Sequence, residues 1–495
     1  MAGHCALAVT NAGGIAAMTG RCALCVTNAA GVGRMTGRRT RTPRVAWMTH
    51  PHRVADVKIR ELLGWALLPA LLVMQFFDLR RGLLGPDWTW SAFLLGYALV
   101  VALGLPLAWG ALKDLRRPGW VGVGAFTAVL MYAAVSALVS GESLVTSRTT
   151  PYAVPPDTWT HPMLAHRLVP LLTAWLTMAA GVVVVVLIPP AQRVARLWWA
   201  GWLLIVSSLA VWPRAVGVHD SPRLATGMGG SATIHLVFLL CTGLFLGAAW
   251  QGHRRRWSLV GAAASILCLL LTGSRSGLLS LAVLAVLVLV WLGRRISTRL
   301  AAAALAAVVA IGALMVALVP AARRLLVFGD ELRAANLATA WHVFTSDPLT
   351  AILGVGSGRL WPWYAFDARY WTVPWRGQVH TSEGDVLTNP HSVLLGVGVE
   401  LGVVGLALMG VLVGVVLARL ATAWRHRPAA GFGTISDGLV LALVAGFVAW
   451  VFDYYLFKNY AVSFWWWACF TAVFTIPHAA PAGDATARPP RPAPE

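Results

Sequence analysis

Long apolar runs separated by short polar turns set the pattern of this chain. Stretches near the length needed to cross a hydrocarbon core of about 30 Å fall at 62–77, 88–110, 119–139, 167–188, 197–212, 231–250, 258–272, 276–293, 300–319, 392–418, 435–456 and 460–477. The pattern therefore predicts an all-α, polytopic integral membrane bundle of about twelve helices, since only helices or closed barrels satisfy the backbone in lipid. Helices 1–9 occupy 61–319 and helices 10–12 occupy 391–477. Between them lies the longest polar stretch, 320–390, a large loop domain. It opens on a helix-like segment from Asp330 to Phe344, and carries a turn signal at Gly354-Val355-Gly356-Ser357-Gly358.

Composition agrees with that pattern. Hydrophobic residues make up 58% of the chain and charged residues 12%, which excludes an ordinary soluble protein. The net charge of +20 has a topological reading. With the N-terminus cytoplasmic, Lys113, Arg116, Arg117, Arg193, Arg196, Arg254–Arg256, Arg294, Arg295 and Arg419 fall in inside loops and outnumber the basic residues of the short outside loops. This orientation puts both termini in the cytoplasm and the 320–390 loop outside. Dispersed among loops, the basic residues form no folded basic face, so no nucleic-acid partner is expected.

The ends stand apart from the bundle. Residues 5–21 and 22–38 form a 17-residue tandem repeat within the cytoplasmic segment 1–60, and Met48 opens a more usual leader, so the natural start is expected there. Cys22 and Cys25 form a CxxC only where the second copy departs from the first, which argues against a redox or metal role. Cys241, Cys268 and Cys469 sit in separate apolar segments and read as buried free thiols. The Pro- and Ala-rich tail 478–495 is expected to be disordered and cytoplasmic.

Candidate chemistry gathers on the loop-rich face. His391 and Ser392 follow Asn389-Pro390 and precede Gly402 and Gly405, an H-S-x9-G-x2-G string where the polar loop runs into an apolar helix. Proline biases the residue before it away from helix, which places the imidazole at the break and near the interface. Arg275, in Thr272-Gly273-Ser274-Arg275-Ser276-Gly277, lies in a tight turn, and Arg223 lies in a Gly-rich loop before the helix at 231. A guanidinium fork suits a phosphate or diphosphate oxyanion, although snorkelling to lipid phosphate is the alternative for each arginine alone. Glu383 and Asp385 are candidates to orient His391, or are solvated loop charges. The acidic residues of the loop, Asp330, Glu331, Asp347, Asp367, Glu383 and Asp385, show no clear metal spacing. Trp361, Trp363, Tyr364, Phe366, Tyr370, Trp371 and Trp375 read as an interfacial belt, with stacking on sugars as the second reading.

These residues resemble the O-antigen ligases and related polysaccharide polymerases, polytopic bacterial enzymes whose ligase members carry a similar His motif after a large periplasmic loop. The resemblance rests on His391-Ser392 through Gly402 and Gly405, on the TGSRSG turn with Arg275, on the loop with Arg223 (Arg214 being the competing position), and on GVGSG at 354–358. It covers roughly 220–410. It implies a class C glycosyltransferase-like, metal-independent, inverting transfer on the outer face of the bacterial cytoplasmic membrane. The donor would be a glycan on a polyprenyl diphosphate, normally undecaprenyl, and the acceptor an unidentified lipid, glycan or protein. Arg223 and Arg275 would bind the diphosphate and His391 would act on the acceptor, with Ser392 and Asn389 supporting. Ligation and repeat-unit polymerisation both fit. A polytopic transporter or export component remains the alternative of another class, with Glu400 as the one intramembrane carboxylate suited to a proton relay.

Overall fold

The computed structural model describes residues 62, 64–76, 89–148, 164–219, 223–292, 331–361, 378–426 and 433–476. The tandem repeat, Met48, the expected helix at 300–319, most of the aromatic cluster beyond Trp361, the side chain of Arg214 and the C-terminal tail lie outside these residues.

The described chain is mostly helical. In chain order it forms α1 (Leu67–Phe76), α2 (Thr89–Ala108), α3 (Arg117–Val139), β1 (Val145–Arg148), α4 (Leu164–Leu187), α5 (Pro190–His219), α6 (His235–Trp250), α7 (Arg255–Leu271) and α8 (Arg275–Leu292). Then follow α9 (Glu331–Thr345), α10 (Pro348–Leu353), β2 (Gln378–Thr381), β3 (Gly384–Leu387), α11 (Val393–Arg425), α12 (Ile435–Gly446), α13 (Tyr455–Lys458) and α14 (Tyr460–Thr475). Among the described residues, 6 helical stretches are long and apolar enough to cross a membrane: 94–114, 117–139, 167–187, 190–212, 275–292 and 393–425. α6 and the 435–451 segment are shorter apolar helices.

Burial separates two kinds of helix. α6, α12 and α14 are apolar all round and almost wholly enclosed, with Trp465, Trp466 and Trp467 each 0% exposed. α3, α8 and α11 instead turn leucine and valine side chains outward, as lipid-facing helices do. Glycines let the central helices touch by their backbones. A Cβ at Gly438 of α12 would meet Gly247 N of α6 at 2.8 Å, so a larger residue would force the helices apart.

Arginines close the end of the bundle opposite His391. Arg193 is buried and donates to Ile188 O at 3.0 Å, Thr475 O at 3.2 Å and Asp114 Oδ2 at 2.8 Å. It thereby satisfies carbonyls that the ends of α4 and α14 leave without intrahelical donors. Arg419 donates to Ser436 Oγ at 2.8 Å. Arg193 and Arg419 thus belong inside helices as carbonyl and hydroxyl donors, where the hydropathy pattern put them in loops. The pattern also missed a small antiparallel sheet, β1-β2-β3, pairing Val145 with Thr381 and Val379 with Val386. Its strands are 4 residues each, too short to show a period.

α11 is broken at Gly402 (φ 64°, ψ −165°). The break frees carbonyls that a continuous helix would use internally, and the long loop fills them: Val355 N donates to Val399 O and Gly356 N to Glu400 O, both at 3.0 Å. A Cβ at Gly402 would lie 2.6 Å from Gly354 N and closer still to the Ile352 carbonyl oxygen, so glycine is required by backbone approach as well as by φ. Gly405, one turn later, leaves room for the Leu401 and Val397 side chains. Gly402 therefore docks the GVGSG turn onto the helix that starts beside His391, and Gly405 makes room within that helix.

Candidate active site

His391 adopts left-handed φ of 51°, uncommon for a residue with a side chain. Local hydrogen bonds hold it there. Asn389 Oδ1 accepts from His391 N at 3.0 Å, closing an Asx turn, and Ser392 caps α11 by accepting from Leu395 N at 3.1 Å. The Ser392 hydroxyl also donates to Trp450 O at 3.0 Å, and Val393 N donates to Asp453 O at 3.0 Å. Asn389 and Ser392 thus fix the backbone around the imidazole.

A second support comes from α9. Asn336 is buried; its Oδ1 accepts from Trp361 Nε1 at 2.8 Å and Leu387 N at 3.0 Å, and its Nδ2 donates to Pro390 O at 3.4 Å. Arg333 stands three residues earlier on the same helix, hence on the same face. Its charge and that of Lys458 act on His391 after burial itself, together lowering the imidazole pKa to about 3. The resting imidazole is neutral at physiological pH.

Asp453 completes this cluster. Burial raises its carboxyl pKa to about 7 against the opposing effects of the Tyr454 amide, Lys458 and Arg333. Tyr454 N donates to its Oδ1 at 2.7 Å, while its enclosed Oδ2 makes no hydrogen bond among the described residues. A neutral histidine, a carboxyl titrating near neutrality and two cations thus meet around one loop.

The 447–459 segment bridges this cluster to the arginine turn. Asn459 Nδ2 donates to Thr233 Oγ1 at 2.9 Å, in the loop that follows Arg223. Leu224 N donates to Leu271 O at 2.9 Å, and the Arg223 side chain lies along Gly273, where a Cβ would meet its Nε at 3.4 Å. Gly273 (φ 60°) makes the turn, Ser274 Oγ accepts from Gly277 N at 3.2 Å, and Arg275 opens α8 with its side chain exposed. α8 packs on the 447–451 turn whose Trp450 carbonyl holds Ser392. The structure therefore brings Arg223 beside the Arg275 turn and links both to the His391 loop through one segment. Glu383 and Asp385 have other neighbours: Glu383 Oε2 lies 3.9 Å from His342 Nε2, and Asp385 pairs with His380 across the β2–β3 hairpin.

Motif spacing, arginine turn and broken helix now stand together. Residues 260–410 match the O-antigen ligase family model. No curated protein matches the chain. The O-antigen ligase match supports an integral membrane protein of surface-polysaccharide biosynthesis. It contains Arg275, Arg333, Asn336, His391, Gly402 and Gly405, whereas Arg223, Asp453 and Lys458 lie outside it. Sequence reasoning missed Arg333, Asn336, Asp453 and Lys458. Only Asp453 left a signal, as a carboxylate in the otherwise apolar run Trp450-Val451-Phe452-Asp453-Tyr454-Tyr455.

No group of three or more His, Cys, Asp or Glu able to hold a metal ion occurs among the described residues.

Proposed function

We propose that the protein transfers a glycan from a polyprenyl-diphosphate carrier to an acceptor on the outer face of the bacterial cytoplasmic membrane. The carrying observation is the convergence of cationic and proton-holding groups on the His391 side, set on a bundle of membrane helices. In this reading the bundle has about twelve spans with the termini cytoplasmic. Arg223 and Arg275 hold the donor diphosphate and stabilise charge as the anomeric bond breaks. The acceptor hydroxyl attacks the anomeric carbon, polyprenyl diphosphate leaves, the configuration inverts, and the hydroxyl proton passes to the site. Neutral His391 receives or orients that proton. A diphosphate bound near Arg333 and Lys458 would offset the cations that keep the imidazole weakly basic, raising its basicity when substrate is present. Asp453 is a second group able to hold a proton.

The test is transfer from purified polyprenyl-diphosphate glycan in liposomes, with and without EDTA. Arg275→Lys is expected to be impaired despite its retained charge, because the bidentate fork is lost, and Arg275→Ala more so. His391→Ala is expected to lower turnover by about 10²–10⁴-fold while donor binding survives. Wild-type rates in all three variants would leave a transporter or export component as the better reading, and strict dependence on added divalent metal would reject this mechanism while retaining an enzyme.

A further inference from the structure

Within the loop that leads to α11, the described residues 348–354 do not stay above the bundle. Its α10 ends where Leu353 O accepts from Tyr132 Oη at 2.8 Å. Tyr132 lies seven residues inside the His391-side end of α3, or about 10 Å along a helix rising 1.5 Å per residue. On the other flank, Ile352 and Gly354 abut Gly402, nine residues inside α11 and about 13 Å from its start by the same rise. The chain then climbs back, with Ser357 N donating to Ser136 Oγ at 3.3 Å near the end of α3.

The exposed side chains of this descent are apolar. Leu349 is 65% exposed, Ile352 50% and Leu353 43%. They continue the outward faces of α3 and α11, where Val135, Leu138, Leu394 and Val403 are also exposed. On α9, Trp341 and Leu337 are exposed too, while the opposite face buries Asn336, Thr339, Ala340 and Val343. The polar atoms meet the demands of lipid. Gly354 N bonds to Thr350 O, and Val355 and Gly356 bond to α11 carbonyls, so the non-helical backbone at this depth has protein partners. The exposed polar residues Thr345, Ser346 and Asp347 precede α10, whose six residues span about 9 Å. The Asp347 carboxylate, at the N-cap of α10, thus lies about one helix length from the turn at Leu353.

We infer that residues 337–353 form a re-entrant strap in the membrane leaflet on the His391 side, with Leu349, Ile352 and Leu353 against acyl chains and Trp341 at the headgroup level. The occupant of the exposed apolar face is the bilayer itself. This holds whichever reaction the site performs. It also gives α9 a footing in the leaflet where a lipid-linked substrate lies, since the same helix grips the His391 loop through Asn336.

The experiment uses the full chain with its six cysteines replaced by alanine, reconstituted in phosphatidylcholine–phosphatidylglycerol vesicles. Single cysteines at Leu349→Cys, Ile352→Cys and, on the exposed hairpin, Ser382→Cys are labelled with bimane. The 349 and 352 labels are expected to lose emission to 5-doxyl phosphatidylcholine and to resist aqueous iodide; the 382 label is expected to do the reverse. Iodide quenching at 349 and 352 matching that at 382 would overturn the strap. Protection of both positions from both quenchers would overturn it too, by putting another protein segment over this face.

Discussion

Replacing Gly402 by alanine isolates the joint between helix and loop. The backbone there lies at φ 64°, ψ −165°, a region that residues with a Cβ occupy at about 1–3 kcal/mol of strain. The added methyl would also press on the Ile352 carbonyl and on Gly354 N, both backbone atoms that no rotamer change can move. Relief requires the 352–356 turn to withdraw, which breaks the bonds from Val355 N to Val399 O and from Gly356 N to Glu400 O. Two such bonds contribute about 0.5–1.5 kcal/mol each, and their loss leaves the freed α11 carbonyls in a largely apolar setting. The sum is a destabilisation of roughly 3–5 kcal/mol. Gly414 is the internal control. It lies in the same helix with open space around its Cβ position, so Gly414→Ala is expected to be neutral or to stabilise by up to about 1 kcal/mol. Unfolding by added sodium dodecyl sulfate in dodecylmaltoside micelles, followed by circular dichroism, measures both variants against the parent. Equal midpoints for Gly402→Ala and Gly414→Ala would refute the argument that the motif glycine exists to seat the loop.

Asn336→Ala removes the buried acceptor shared by Trp361 Nε1 and Leu387 N, and is expected to lower stability by about 2–4 kcal/mol, read in the same unfolding titration; an unchanged midpoint would mean that α9 does not brace the His391 loop. Two groups of the cluster make opposite contributions to stability as pH changes. The His391 pKa is lowered to about 3 from 6.5, so between those values the unfolded chain binds more protons and stability rises with pH. The Asp453 pKa is raised from 3.8 to about 7, so the folded chain binds more protons there and stability falls with pH. Asp453→Asn should therefore uncover a rise in stability from about pH 3 to 6.5, and His391→Gln a fall from about pH 4 to 7, both followed by thermal unfolding; identical slopes in the two variants would contradict the assigned environments.

The bundle was legible because lipid imposes one rule on every span. A run of apolar residues must be helical, and the predicted runs outside 300–319 all overlap described helices. Their ends were less legible. Arg193 and Arg419 were expected in loops because they are charged, yet each lies inside a helix where carbonyls or a hydroxyl meet its guanidinium. The break in α11 could not be inferred from hydropathy either, since Gly402 sits in a long apolar run, 392–418, whose one charged residue is Glu400. Its cause is tertiary: the carbonyls of Val399 and Glu400 have donors only because a loop some forty-five residues earlier reaches them.

The site divides along the same line. His391, Arg223 and Arg275 were recognisable as candidates in the sequence because each is polar where the chain is expected to turn at a membrane surface. Arg333 and Lys458 were not, because their relevance depends on α9 and α13 being brought to one loop from opposite sides in sequence. Their effect on His391 changes the chemistry expected of it. An imidazole with an ordinary pKa would be partly protonated near neutrality and would repel neighbouring cations, whereas this one is neutral and only weakly basic at rest. A weak resting base among cations is poorly suited to activating a hydroxyl on its own, but well suited to doing so after a polyanion arrives and offsets those cations. In the proposed reaction, donor binding would therefore precede proton removal from the acceptor, and the order would be set by charge.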